Sequence, residues 1–332
     1  MLQIVFKSSR LLKKTMQKRI TTYILTGFLG AGKTTLLNYL LELKKDALNY
    51  VIENEFGKVS VDGNLVTKNY QELFELNNGC ICCSLDGELV AVLEQMIQAK
   101  NLPNNLFIEA SGVADAGQLA SIFKREDVMK YFDLQQIICL VDAENFEDRV
   151  KEVPEMYRQI ISSDIILINK SDLVQKSYIS NISSQIGRIN PFAKLSNTVF
   201  GEIESSLLED KHLPSKISDQ IGEYPLIEDG HRMKSIAIEV PGEFDRTQLY
   251  VTLSMSIFLH YHQIYRIKGF VRLTGEENPV LVQSTGNKLT INPLPEGEKS
   301  PELIMVFIGR DIDRKGLQRL IHKAFLKQPI PN

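Results

Sequence analysis

The chain has 332 residues, of which 43% are hydrophobic and 24% are charged, and its formal net charge at pH 7 is −3. This length suits two domains. The net charge is too small to indicate a nucleic-acid or membrane partner, and no apolar run is long enough to indicate a transmembrane helix. Three of the four cysteines fall within four positions. That spacing argues against a disulfide framework and favours a cytoplasmic protein with a metal or redox site.

The first 19 residues carry six basic side chains and no acidic one. We interpret 1–19 as a basic extension ahead of the first strand, with Met16 as the true or an alternative start. A transit peptide or a basic surface arm is the other interpretation. A secretory signal is not indicated, because no apolar core of sufficient length follows the basic residues.

A phosphate-binding signature occupies residues 24–38, where Gly27, Gly32, Lys33 and Thr34 satisfy the pattern G-x-x-x-x-G-K-[ST]. A short β-prone run precedes it and an apolar helical pattern follows, which is the context that phosphate binding requires. Glycines let backbone N–H groups surround the phosphates, while the lysine reaches the β- and γ-phosphates and the threonine hydroxyl suits Mg²⁺. The predicted triphosphate-binding residues are Gly27, Gly30, Ala31, Gly32, Lys33, Thr34 and Thr35, with Lys33 also catalytic.

Four later apolar runs resemble parallel strands buried on both faces, and each ends in a polar signature. Helical patterns alternate with them, so we predict an α/β fold: a doubly wound, mostly parallel sheet of the P-loop NTPase type. Its ligands are expected at the carboxyl ends of the strands. The predicted strands are 50–52, 106–108, 137–141 and 165–168, and the predicted helices are 85–99, 117–123 and 177–189.

The pattern changes after a stretch rich in proline, glycine and scattered charge, which we interpret as a linker at 206–233. It separates a P-loop domain at 20–205 from a smaller carboxyl-terminal α+β domain at 234–330. The elements predicted beyond the linker are strands 235–240, 265–273, 280–284, 288–291 and 302–308 and helices 245–261 and 313–325.

The residues Asn169-Lys170-Ser171-Asp172 fit N-K-x-D at a strand end. A carboxylate at Asp172 can accept two hydrogen bonds from guanine, whereas adenine lacks that pair of donors and would leave the acceptor unpaired. We therefore expect Asn169, Lys170 and Asp172 to bind the nucleotide and GTP to be preferred over ATP. A kinase or synthetase that uses ATP is the alternative.

Carboxylates that follow two other strands suit Mg²⁺ and the attacking water. Glu109 is predicted to hold Mg²⁺ together with Thr34 and to act in catalysis, while the Gly112 N–H approaches the γ-phosphate. Asp62 is a candidate for orienting the water, and Glu55 is a candidate metal ligand in a segment that GTP would order. Solvated loop charges are the alternative for these last two residues.

Cys80, Cys82 and Cys83 lie on a short segment just before a predicted helix. A helix N-terminus favours thiolates, and three sulfurs with one further donor complete a tetrahedral Zn²⁺ site. Glu55, water or a nucleotide oxygen is the candidate fourth ligand. Co²⁺ or Cu(I) also suits the three sulfurs, and buried cysteines or a redox role are the alternatives. The pair His260 and His262 is interpreted as structural or partner-facing.

Together these signatures resemble the CobW-like family of P-loop GTPases, which are metal chaperones and insertases, over nearly all of residues 20–327. Gly-Cys-Ile-Cys-Cys is the most specific of them. Those that carry the resemblance are Gly-Phe-Leu-Gly-Ala-Gly-Lys-Thr-Thr at 27–35, Asn-Glu-Phe-Gly at 54–57, Gly-Cys-Ile-Cys-Cys at 79–83, Glu-Ala-Ser-Gly at 109–112, Asn-Lys-Ser-Asp at 169–172 and Arg-Ile-Lys-Gly at 266–269.

The resemblance implies a slow GTPase in which the three cysteines bind a transferred metal and hydrolysis releases it to a client metalloprotein. A homodimer is possible. A metal-buffering protein with a structural nucleotide, or a cobalt insertase-type role in cobalamin synthesis, is the alternative. Two departures from the family's pattern stand out: no histidine-rich stretch is present, and Asp115-Ala116-Gly117 stands where a proline is frequent.

Overall fold

The computed structural model of the protein describes residues 19–53, 70, 72–75, 85–99, 101–152, 154–209, 233–260, 263–285, 288–294 and 302–325. These residues form two β-sheets with helices packed against them. Within these ranges no helix combines the length and the apolar character needed to cross a bilayer.

The first sheet is entirely parallel, in the order β3-β2-β4-β1-β5-β6-β7. This confirms the predicted α/β architecture. The two edge strands β3 and β7 were not predicted, because each has only four residues and neither carries a continuous apolar run. The strands are β1 (Ile20–Gly27), β2 (Asn49–Glu53), β3 (Glu72–Glu75), β4 (Asn105–Glu109), β5 (Phe132–Asp142), β6 (Ile165–Asn169) and β7 (Lys194–Asn197).

Helices cover both faces of this sheet, as the continuous apolar strands require. The helix after the phosphate-binding loop and α8 share one hydrophobic core with one face, while α2 and α3 pack on the other. The three helices predicted at 85–99, 117–123 and 177–189 are confirmed as α2, α3 and α7, whereas α4, α5, α6 and α8 were not predicted. The helices are α1 (Lys33–Leu43), α2 (Leu85–Gln98), α3 (Ala116–Ile122), α4 (Glu126–Met129), α5 (Phe146–Glu152), α6 (Pro154–Ser162), α7 (Lys176–Ile189) and α8 (Ser205–Glu209).

The second sheet has the order β12-β11-β10-β13-β8, all antiparallel, and β9 pairs in parallel with β10. Helices α9 and α10 pack on one face. Each begins one residue after an aspartate whose carboxylate accepts an N–H of the first turn, Asp245 from Gln248 and Asp313 from Gly316. The elements are β8 (Met233–Glu239), β9 (Glu243–Phe244), α9 (Arg246–Leu259), β10 (Ile264–Leu273), β11 (Val280–Thr285), β12 (Lys288–Pro293), β13 (Ile304–Arg310) and α10 (Arg314–Ala324).

The other face of the second sheet packs on α6 and α7. Phe270 and Val306 share a buried core there with Ile160 and Ile186. Two basic side chains of β10, Arg266 and Lys268, are also buried at this contact. The two sheets are therefore joined by a layer that is apolar but contains buried charge.

Burial of Lys268, with a smaller contribution from the neighbouring Arg266, lowers the pKa of its ammonium from 10.5 to about 7, although Asp164 opposes the shift. Because this pKa is lower in the folded protein, the unfolded chain binds more protons at this site between pH 7 and 10.5. The contribution of Lys268 to stability therefore increases as pH rises through that window. The slope is at most about 1.4 kcal/mol per pH unit.

We therefore expect Lys268→Met to be more stable than the unsubstituted protein at pH 7, and expect this advantage to shrink by about 1–2 kcal/mol by pH 9. Urea denaturation at pH 7, 8 and 9 measures the difference. The matched control is Lys323→Met, at an exposed lysine of α10, whose effect should not vary with pH. A Lys268→Met effect that is equal at all three pH values would contradict the prediction.

Candidate functional site

The loop between β1 and α1 has the conformation that its glycines predict. Gly27, Gly30 and Gly32 adopt φ values of 139°, 77° and 103°, which side-chain-bearing residues rarely adopt. A Cβ atom on Gly27 would also overlap the carbonyl oxygen of Leu140 in β5, and one on Gly32 would lie 2.5 Å from the Asn169 amide nitrogen. The loop is thus packed closely between the ends of β5 and β6.

The predicted Mg²⁺ ligands are adjacent in space. Thr34, in the first turn of α1, donates its hydroxyl to Glu109 Oε1 at 2.9 Å. Glu109 ends β4, which lies directly beside β1. The Lys33 ammonium lies over the loop and donates to the Phe28 carbonyl at 3.4 Å. A hydroxyl and a carboxylate are the oxygen donors that Mg²⁺ prefers, so the residues present fit this ion.

A second carboxylate, not singled out from the sequence, lies beside this pair. Glu53 ends β2 and is 3% exposed, and its Cα is paired in register with that of Glu109. Side chains at paired positions of adjacent parallel strands point to the same face, so both carboxylates project to one side of the sheet edge. Only the strand pairing reveals this neighbour, because the two residues are far apart in the sequence.

The segment after Glu109 packs directly on the phosphate-binding loop. Gly112 is buried, and a Cβ atom there would lie 2.7 Å from the side chain and 2.8 Å from the backbone nitrogen of Leu29. Asp115, in the stretch where the family often has a proline, caps α3 by accepting from the Gly117 N–H at 2.8 Å. The departure from the family pattern therefore starts a helix without disrupting the loop.

The Asn-Lys-x-Asp residues have different surroundings. Asn169 is buried; its amide donates to the Ala31 carbonyl at 2.9 Å and its carbonyl accepts from the Gly201 N–H at 3.1 Å. Lys170 has a φ of 58° and forms a 2.7 Å ion pair with Asp142 of β5. Asp172 is exposed in a short 3-10 turn. Asn169 thus ties the loop to β6, and Asp172 is open to a ligand.

Two large apolar side chains are exposed beside this turn. Leu173 is 56% exposed and Phe200 is 73% exposed. Phe200 also has a φ of 54°, an unfavourable value for a bulky residue. The Gly201 N–H that follows it is bonded to Asn169, which fixes Phe200 next to the Asn-Lys-x-Asp end of β6. Such an exposed and strained aromatic residue suits stacking on a base. The sequence pattern did not indicate it.

We expect Phe200→Ala to weaken GTP binding by about tenfold, because base–aromatic stacking contributes roughly 1–3 kcal/mol. Fluorescent GTP titration measures the affinity. Phe258→Ala is the matched control, at an exposed phenylalanine of α9 that should leave GTP affinity unchanged. Unchanged affinity in Phe200→Ala would exclude stacking by this residue.

One basic side chain not predicted from the sequence lies at the phosphate-binding loop. The guanidinium of Arg149, on α5, is 4.9 Å from the centre of the Phe28 ring. Arg149 is therefore a cation that the fold brings to the phosphate-binding loop from α5. The sequence did not predict this arginine, because no motif near Arg149 in the chain marks it.

Several predicted site residues lie outside the described residues: Glu55, Asp62, Cys80, Cys82, Cys83 and His262. Within the described ranges no group of three or more His, Cys, Asp or Glu side chains is arranged to hold a metal. Cys139 is buried in β5, and burial raises the pKa of its thiol to about 12, which makes it an unreactive packing residue.

The elements on either side of the cysteines are described. β3 ends at Glu75, whose Cα pairs in register with Glu53, and α2 begins at Leu85 as predicted. β3 therefore ends two strands from Glu109 at the same edge of the sheet, a separation of about 10 Å. The chain enters the cysteine-containing segment from the edge at which the phosphate-binding loop lies.

A parallel sheet, a glycine loop at the start of α1, a Thr34–Glu109 pair and an Asn-Lys-x-Asp turn together define a P-loop GTPase. Comparison with known proteins narrows this class. Residues 21–197 match the model of the CobW/HypB/UreG nucleotide-binding domain, and residues 233–325 match the cobalamin synthesis protein cobW C-terminal domain. The chain belongs to the CobW/HypB/UreG family.

Two proteins similar to this chain are named zinc chaperones. The zinc chaperone YjiA of Escherichia coli is 30% identical over 300 residues, covering 87% of this chain and 94% of that protein. The zinc chaperone CobW of Pseudomonas aeruginosa is 26% identical over 353 residues, covering 94% and 92%. The crystal structure of Zn(II)-bound YjiA GTPase from E. coli superposes with a TM-score of 0.67 at 26% identity, covering 92% of this chain and 99% of that one.

Proposed function

We propose that this GTPase is a metallochaperone that binds Zn²⁺ through Cys80, Cys82 and Cys83, with Glu55 as the fourth ligand, and delivers it to a client metalloprotein. One observation carries the proposal. β3, which leads into the cysteine segment, ends at the same end of the sheet as Glu109, which lies beside the phosphate-binding loop. The names of the zinc chaperones similar to this chain support zinc as the transferred ion.

GTP binding is assigned to the phosphate-binding loop and the Asn-Lys-x-Asp turn. Gly27 to Thr35 surround the phosphates, and Lys33 neutralises charge on them once it leaves the Phe28 carbonyl. Asp172 accepts from the guanine edge while Phe200 stacks on the ring. Thr34 and Glu109 would hold Mg²⁺, and the ion would offset the charge on the β- and γ-phosphates.

Hydrolysis requires a positioned water and a means of stabilising charge in the transition state. We assign the water to Asp62 and a γ-phosphate contact to the Gly112 N–H, while Glu109 would contribute to catalysis as a ligand that holds Mg²⁺. Arg149 is a further described cation at the phosphate-binding loop, but it is exposed and lies on the Phe28 ring. An exposed arginine is not held in place for the transition state, and we therefore expect slow intrinsic turnover.

We divide the chain as its sequence pattern predicts: residues 20–205 are the GTPase domain, 206–233 a linker, and 234–330 a carboxyl-terminal α+β domain that contacts α6 and α7. The described elements shift two of these bounds, because α8 (Ser205–Glu209) shares a core with α1 and β8 begins at Met233. Because GTP and the metal order neighbouring segments of one sheet edge, binding of each is expected to strengthen binding of the other.

Isothermal titration of Zn²⁺ with and without Mg²⁺ and a non-hydrolysable GTP analogue tests the proposal. Zn²⁺ affinity should rise by about tenfold with the analogue, a typical coupling between two sites. Substituting Cys82 and Cys83 by Ser should abolish binding, while Cys139→Ala, at the buried cysteine, should not. Equal Zn²⁺ affinity in both nucleotide states would contradict the coupling.

The alternatives differ from the proposal in the role of the nucleotide and in the ion. No phosphate release from the unsubstituted protein would favour a metal buffer with a structural nucleotide. Higher affinity for Co²⁺ than for Zn²⁺ in the same titration would favour a cobalt insertase. Competition between GTP and ATP, with Asp172→Asn as the variant that loses guanine selectivity, decides between a GTPase and an ATP-dependent enzyme.

A further inference from the structure

A buried glutamine of α6 holds the loop that follows Glu109. Gln159 is fully buried, and its Nε2 donates to the Gly112 carbonyl at 2.9 Å and to the Ala114 carbonyl at 3.4 Å. Two carbonyl acceptors determine which end of the amide faces the loop, since only the NH₂ end donates. The other end, Oε1, is buried without a hydrogen-bond partner in the described part of the chain.

The same loop also touches the phosphate-binding loop. The Gly112 backbone lies so close to Leu29 that a Cβ atom would be 2.8 Å from the Leu29 nitrogen. Gly112 therefore contacts both Leu29 and Gln159.

The carboxyl-terminal end of α6, where Gln159 lies, is attached to the second sheet. Arg266 of β10 donates Nη1 to the carbonyls of Ile161 and of Ser163, the latter at 3.2 Å, and Nη2 to Asp164 Oδ1 at 3.2 Å. The Asn190 amide donates to the carbonyls of Ile160 and Ser163. The last carbonyls of α6, which have no partner within the helix, are thus satisfied largely by side chains, and one of these comes from β10.

We propose that Gln159 is a positioning residue for GTP hydrolysis: it sets the conformation of 109–114 and, through α6 and Arg266, couples that conformation to β10. The inference rests on the proposed function in that the Gly112 N–H approaches the γ-phosphate. The Oε1 of Gln159, which has no partner in the described part of the chain, favours a second arrangement in which an N–H of the 109–114 loop donates to it. A γ-phosphate attracts N–H groups of the same loop, so the nucleotide state biases which arrangement is populated.

Gln159→Leu tests the positioning role, because it keeps the approximate volume and removes the donor. We expect kcat for GTP to fall about tenfold to a hundredfold while KM changes by less than about threefold. Gln185→Leu, on α7, is the matched control and should leave both constants unchanged. A purely structural role for Gln159 would lower thermal stability but leave kcat of the folded protein intact, and this result would overturn the proposal.

Hydrogen exchange tests the coupling on the full-length protein, first without a substitution and then in Gln159→Leu. Addition of Mg²⁺ and a non-hydrolysable GTP analogue, compared with GDP, should change exchange at the amides of α6 and of β10. In Gln159→Leu the response at β10 should be lost while that of the phosphate-binding loop persists. A nucleotide response confined to the phosphate-binding loop in the unsubstituted protein would refute the coupling, whereas absence of any response there would refute GTP binding itself.

Discussion

Replacing Glu109 by Gln is expected to lower the rate of Mg²⁺-dependent GTP hydrolysis by about a thousandfold, with little change in folding. The substitution keeps the shape of the side chain but removes the negative charge beside Thr34, whose hydroxyl is 2.9 Å from Glu109 Oε1. A neutral amide is a poor ligand for Mg²⁺, and loss of the ion exposes the transferring phosphate charge. The loss of one such electrostatic contact typically costs a factor of 10² to 10³ in rate.

Phosphate release under single-turnover conditions, at increasing Mg²⁺ concentration, measures this effect. Glu144→Gln, at an exposed carboxylate just after β5, is the matched control and should behave as the unsubstituted protein. Glu53→Gln, assayed in parallel, shows whether the buried neighbour shares the ion. A Glu109→Gln variant that folds and hydrolyses GTP at the normal rate would rule out the Mg²⁺ assignment.

Gly27→Ala is expected to destabilise the fold by about 3–5 kcal/mol, a large part of the total stability of a domain. Two causes add. The φ of 139° is strained for any residue with a Cβ atom, and the new methyl group would overlap the Leu140 carbonyl oxygen in the neighbouring strand. Neither β1 nor β5 can move aside, because both are central to the sheet.

Gly30→Ala separates the two causes. Its φ of 77° is also unfavourable, but no atom lies within 4 Å of an added Cβ, so only the backbone strain of about 1 kcal/mol should appear. Chemical denaturation followed by circular dichroism gives both values. If Gly27→Ala and Gly30→Ala destabilise the protein equally, the steric argument for Gly27 is wrong.

Much of the fold was predictable because its information is local. Continuous apolar runs predicted the central strands, and a period of 3.6 residues predicted α2 and α7. The same reasoning missed β3, whose four residues depend on pairing with β2, and α6, which is short and stabilised largely by tertiary packing. A strand of four residues such as β3 is too short to give a periodic signal.

The residues of the candidate site also form two groups: those that a local motif marks and those that only the fold brings together. The glycine loop and Asn169 to Asp172 are motifs of consecutive residues, so the sequence alone identified them. Glu53, Phe200 and Arg149 were missed. Each gains its role from a neighbour distant in the chain: register with Glu109, the bond from Gly201 to Asn169, and the ring of Phe28.

The sequence by itself determined the class of protein, the nucleotide signature and the cysteine segment, because each depends on spacing along the chain. The tertiary structure decided which of these residues are neighbours. Thr34 meets Glu109 across 75 residues, and Arg266 reaches the end of α6 across 105. The phosphate-binding loop is thus held by the ends of β5 and β6 and by Gly112, and Gln159 and α6 connect it to the second sheet. Strand pairing and helix packing create these contacts, and no local pattern records them.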